Sequence, residues 1–204
     1  MKTKNIIQNI TNGVHEYSYQ IKDKKNYTIV LAAFSVQKLD ISLSVYLAAP
    51  GAVVSIVGIF LGGKSSDVHL HTLQVHQAPN TTSNLLVKTV LSDGATFNYD
   101  GRIRVEKLAQ KTDAYQRNEN LLIGVGSHAT SDPSLEILAN DVRCTHGSIT
   151  GPIDPEELWY LESRGISLTS AKQLMVEGHF LSAVNLVSDS QIRDQLWQKI
   201  RSEI

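Results

Sequence analysis

The chain has 204 residues, enough to bury one sizeable hydrophobic core, with 19 basic against 20 acidic side chains. So even a balance leaves no positive field for nucleic acid or an anionic membrane surface, which excludes a phosphate-backbone binder. A single cysteine cannot close an internal disulfide, and Met1-Lys2-Thr3-Lys4-Asn5 leads into no apolar run of signal-peptide length, so the reducing cytoplasm is the expected compartment.

The first dozen residues are polar and mixed; they predict a partly mobile end, closed by an Asn12-Gly13 turn before Val14 to Gln20. From Tyr27 the chain becomes a succession of short apolar or alternating runs. These are Tyr27 to Ser35, Leu39 to Ala48, Ala52 to Leu61, Val68 to Val75 and Leu85 to Leu91. In the second run Leu39, Ile41, Leu43, Val45 and Leu47 share one face and Asp40, Ser42 and Ser44 the other, the period of a strand. Ala52 to Leu61 is too short to cross a bilayer and reads as a buried strand. Pro50-Gly51, Gly62-Gly63, Pro79-Asn80, Asp93-Gly94 and Asp100-Gly101 punctuate the runs. The Asp-Gly pairs suit hairpins of a sandwich, whereas consecutive apolar positions such as Ile56-Val57 suit strands covered on more than one side. No repeat of fixed length is visible, and residues alone leave the topology open.

Seven histidines raise the question of a metal. His69 and His71 share a strand face, with His76 placed beyond a register break between Leu70 and Leu73. A cupin-type site would want a carboxylate soon after the pair, and Thr72 to Asn84 contains none, so both read as surface or dimer-face side chains. His15 and His179 carry no motif. No phosphate loop, nucleophile elbow or zincin helix occurs, and Gly124-Val125-Gly126 is too short for a dinucleotide fingerprint.

The segment Asn140 to Gly151 is the richest in chemistry. As extended chain it puts Val142, Cys144 and His146 on one face, with sulfur and imidazole roughly 6 to 7 Å apart. A thiolate with an imidazole favours zinc, copper or iron–sulfur chemistry over magnesium or calcium. The competing reading is a buried structural cysteine beside a hydrogen-bonded histidine. A nucleophilic Cys144 with His146 as base is a third, but side chains two apart on one strand point side by side.

Helical sequence follows. Asp154-Pro155-Glu156-Glu157 supplies an N-cap, a first-turn proline and first-turn acids, and Gly165 a stop, with Leu158 and Leu161 facing inward. A second helix is predicted from Ser170 to Val187, with Ala171, Leu174, Met175, Phe180, Ala183, Val184 and Val187 apolar. A third carries Ile192, Leu196, Ile200 and Ile204 at intervals of four, a stripe that packs on its own protein.

Asp141-Val142-Arg143-Cys144-Thr145-His146-Gly147 and Leu158-Trp159-Tyr160-Leu161-Glu162-Ser163-Arg164-Gly165-Ile166 resemble the C-terminal signature of the SufB/SufD family of iron–sulfur cluster assembly proteins. Gln110-Lys111-Thr112-Asp113-Ala114, Asn118-Glu119-Asn120-Leu121-Leu122 and Pro133-Ser134-Leu135-Glu136-Ile137 fit it at matching intervals, nearest to SufD. The resemblance implies a mainly β chain: a right-handed parallel β-helix over residues 1–151, then a small α-helical subdomain over 152–204. It implies a scaffold without its own ATPase or nucleophilic catalysis, with helices that dock a SufC-type ATPase. Cys144 and His146 would be ligands of an iron–sulfur cluster held transiently at the junction of two subunits, in a homodimer or a heterodimer with a SufB-like chain. His128 stands where SufB has a cluster-assembly cysteine, and becomes a third metal-ligand candidate. Most members begin with a long helical region, so this chain is expected to be a minimal version. Cluster type, sulfur donor and any flavin requirement are not encoded in these motifs. The alternative from a different class is a β-domain interaction module that merely buries Cys144.

Overall fold

A computed structural model describes residues 3–63 and 65–204. Among them are eleven strands: β1 (Thr3–Ile10), β2 (Gly13–Ile21), β3 (Asn26–Phe34), β4 (Lys38–Leu47), β5 (Val53–Gly62), β6 (Asp67–His76), β7 (Thr82–Leu91), β8 (Thr96–Val105), β9 (Thr112–Leu122), β10 (His128–Ile137) and β11 (Val142–Pro152). Three helices follow, α1 (Pro155–Ser163), α2 (Leu168–Asn185) and α3 (Ser190–Glu203). Odd strands form a six-stranded sheet in the order β1-β3-β5-β7-β9-β11, and even strands a five-stranded sheet in the order β10-β8-β6-β4-β2. Neighbours within each sheet run parallel. Each coil therefore lays one strand on each sheet, and the chain winds into a parallel β-helix of about five turns.

The coils differ in length, which hides the repeat from the sequence. At the start of the winding Lys4 pairs with Tyr27, and near its end Thr96 pairs with His128, a distinctly longer step along the chain. Corners are turned by residues in the left-handed region, among them Gly51 (φ 75°), Asn80 (φ 57°), Asp93 (φ 51°) and Gly94 (φ 75°), where the Pro-Gly, Pro-Asn and Asp-Gly pairs were expected to punctuate. Asp100-Gly101 is an exception, since it lies in the middle of β8 rather than at a turn. A Cβ on Gly101 would run into the Tyr99 ring and hydroxyl, so glycine there makes room for an inward aromatic. Within the first dozen residues, of which Met1 and Lys2 lie outside those described, β1 occupies Thr3–Ile10 and pairs with β3 along its length.

The interior changes character along the axis. Early coils are apolar, with Ile29, Leu31, Leu43, Val45, Val54 and Ile56 in one buried cluster that reaches Leu85 and Phe97 of the later strands. Polar side chains enter from β6 onward. Thr72, Gln74 and His76 all follow Val68 and Leu70 inward, so β6 has no register break and Leu73 is the residue that faces out. These groups are held inside because most find partners. The Thr72 and Tyr99 hydroxyls lie 2.9 Å apart, and His76 Nδ1 and Nε2 lie 2.7 and 2.9 Å from Thr81 Oγ1 and Ser83 Oγ.

The six-stranded sheet is also covered outside. Val176, Phe180, Ala183 and Val184 of α2 with Leu196 and Ile200 of α3 pack on Val30, Ala32, Val57, Ile59, Leu86 and Val90. Each large side chain so buried contributes about 1.5–3 kcal/mol, which anchors both helices. Beneath α2, Lys88 and Glu119 form a buried ion pair across β7 and β9, with Arg117 also on Glu119. Helix α1 is different. Its Asp154 cap accepts from Glu156 N and Pro155 opens it as expected, yet none of its residues is buried, and Leu158 and Leu161 are only half-covered.

Candidate functional site

Strand β11 is the last of its sheet, and its other edge has no strand beside it among the described residues. Register fixes which way its side chains point. Val142, Cys144 and His146 lie over Thr112, Ala114 and Gln116, the inward, buried positions of β9. Cys144 and His146 therefore stand side by side at the open end of the β-helix, facing its axis, with the sulfur half-buried and the imidazole exposed. Arg143 points outward, and its guanidinium grips Asp113 of β9.

The thiol environment narrows its chemistry. Cys144 packs against Ile103, Val105, Ala109, Ala114 and Ala139, and burial first, then the Asp113 carboxylate, hold its pKa above the ordinary value. A thiol kept protonated is a poor nucleophile, which weighs against the Cys144–His146 catalytic pair. It ionises when a metal displaces the proton, so the setting suits a ligand or a structural cysteine. Among the described residues no three His, Cys, Asp or Glu side chains converge on a metal position. As donors, one thiolate and one imidazole make half of a four-ligand set, and an exposed edge is where a second chain can add the rest.

His128 is not brought into this pair. It opens β10 in register with Thr96, on the outer face of the five-stranded sheet, whereas Cys144 neighbours the far end of that strand. The separation is on the order of 25 Å from strand geometry. His69 and His71 also lie outward, His69 Nε2 3.3 Å from Asp67, and His71 between Asp40 at 4.0 Å and Asp100 at 3.7 Å.

The rim of the site carries residues to which motif reading assigned no role. Leu135, Ile137 and Leu138 are exposed apolar side chains on or beside β10, whereas the exposed Ile149 of β11, in register with Glu119, lies on the outer face. Their alternation in Leu135-Glu136-Ile137 was legible, but only the winding shows that the inward face of β10 has no coil above it. The opposite end of the β-helix is closed instead, by Tyr17 and Tyr19, with Gln8 Nε2 donating to the Tyr19 hydroxyl at 3.0 Å. No helix among the described residues is long and apolar enough to cross a membrane.

Comparison with known proteins agrees with this geometry. The SUF system FeS cluster assembly SufBD core domain matches residues 2–179. The Escherichia coli iron–sulfur cluster assembly protein SufD is 35% identical over 125 residues, covering 61% of this chain and 30% of its own. A SufBD family protein of Mycobacterium leprae is 31% identical over 172 residues, covering 80% of this chain and 44% of its own. One of Synechocystis is 31% identical over 133 residues, covering 64% and 29%. The chain thus spans less than half the length of these relatives. With a parallel β-helix, a terminal Cys-x-His strand and a core-domain match over most of its length, the chain belongs to the SufBD family of iron–sulfur cluster assembly proteins.

Proposed function

We propose that the chain is a scaffold component of a Suf-type assembly complex that holds an iron–sulfur cluster transiently, as cargo, at the open end of its β-helix. The observation that carries this is the placing of Cys144 and His146 on the inward face of the terminal edge strand, beside the exposed apolar residues of β10. In this reading Cys144 and His146 supply two donors and a second chain, either a copy or a SufB-like subunit, supplies the others across β10 and β11. Apolar surface at the rim supports such a contact. His128, far from the pair and facing out, acts only if a partner reaches the outer face of the five-stranded sheet. A SufC-type ATPase docks on α1 and the outer side of α2, where Trp159, Tyr160, Leu174 and Leu181 are exposed. The ATPase, rather than this chain, hydrolyses nucleotide, and the setting is the cytoplasm.

Anaerobic reconstitution with iron and sulfide tests the assignment. The parent retains iron after desalting, and Cys144→Ser and His146→Ala lose most of it. Equal iron in parent and Cys144→Ser would instead favour the second reading, an interaction module with a structural cysteine, to which the packing of Cys144 against Ala114 and Ala139 lends weight.

A further inference from the structure

Gln116 is 1% exposed and lies directly beneath His146 in the parallel register of β9 and β11. Its amide is oriented by one bond, Nε2 donating to the Gly101 carbonyl at 3.1 Å. The group facing a carbonyl must be the NH2, so the oxygen is necessarily the free end. That oxygen is buried and has no hydrogen-bond partner. Such an acceptor costs about 1–3 kcal/mol if left unpaired. On the strand below, its register neighbour is the apolar Leu85, and the nearby Asn118 and Asn120 amides are committed to each other. The polar neighbour in register is His146, one strand away at about 4.8 Å, within reach of an imidazole tipped toward the amide.

We propose that Gln116 is a positioning residue for His146. Its Oε1 accepts the N–H of one ring nitrogen, which fixes the tautomer and presents the other nitrogen, unprotonated, at the open end beside Cys144. The proposal rests on His146 as a ligand, and the tautomer can be read without any metal, so the two claims fail separately.

The test is nitrogen NMR of the histidine-labelled, metal-free chain at mildly alkaline pH, with His146→Asn used for assignment. In the parent, one His146 tautomer dominates. Gln116→Met, similar in volume but without an acceptor, returns His146 to the populations of a free imidazole, and Gln116→Leu does the same. Zinc affinity, read by competition with a chelating dye, falls about tenfold to a hundredfold in Gln116→Met. The control Gln74→Met, inward but in register with Val45 and Ile103, leaves both readouts alone. Unchanged tautomer populations in Gln116→Met overturn the proposal. So do parental populations in Gln116→Leu, which keeps the test open should the methionine variant fail to fold. Zinc binding as tight in Cys144→Ser as in the parent would remove the ligand assignment while leaving the tautomer result standing.

Discussion

His76 is fully buried and bonded through both ring nitrogens to Thr81 and Ser83, and burial drives its pKa from 6.5 down to about 4. The unfolded chain takes up that proton near pH 6.5, and the folded chain refuses it until about pH 4. Between those values the unfolded state binds more protons, so stability falls as pH drops; above 6.5 this group contributes no pH dependence. By pH 5 the loss from His76 alone is about 2 kcal/mol. His179, lowered to about 4 by burial and then by the Lys88 charge, acts in the same direction. Urea midpoints measured between pH 7.5 and 5 should therefore decline, and the decline should be shallower in His76→Gln. A flat profile would show that His76 is charged inside or open to solvent. The two proposed donors were legible as residues, since Cys144 and His146 fall on one face of any strand. Gln116 was not, because its role depends on the pairing of β9 with β11, which only the winding creates.

Single elements divide into those whose pattern survives in sequence and those whose interior is mixed. Strand β4 alternates cleanly and was readable residue by residue. Strands β8 and β9 were not, since Tyr99, Gly101, Gln116 and Asn118 stand where an apolar core would put Leu or Val. Asp100-Gly101 looked like a hairpin turn for the same reason, yet it serves ring packing. Gly101→Ala should cost about 1–3 kcal/mol through overpacking against Tyr99, seen as a lower Tm. An unchanged Tm would mean that the ring has another place to go. Among the helices, the α3 stripe was correctly placed against its own protein, and α1 is the one left with no buried residue. Trp159, 70% exposed, and Glu162 are accordingly free to serve a partner. Trp159→Ala and Glu162→Lys should shift stability by no more than about 0.5 kcal/mol while weakening association with a SufC-type ATPase in a binding titration. Parental affinity in both would move the docking surface elsewhere.

At the scale of the molecule, the two ends of the β-helix are unlike. One is closed over by Tyr17, Tyr19 and Gln8, and the other leaves Cys144, His146 and an apolar rim facing outward along the axis. An uncapped end of a stacked structure invites another strand pair, and here it coincides with the proposed half-set of ligands. The parallel β-helix itself followed from the resemblance of motifs, since coils of unequal length give no fixed period to read. The central claim is that the cargo site is shared between two chains at this end. Its most direct test is size-exclusion chromatography of the anaerobically reconstituted chain, alone and with a SufB-like subunit, with light scattering and iron detection on the same eluate. Iron should elute only with particles of two chains, and Leu135→Asp should remove both the pairing and the iron. Iron held by single chains, or retained by Leu135→Asp monomers, would contradict the account.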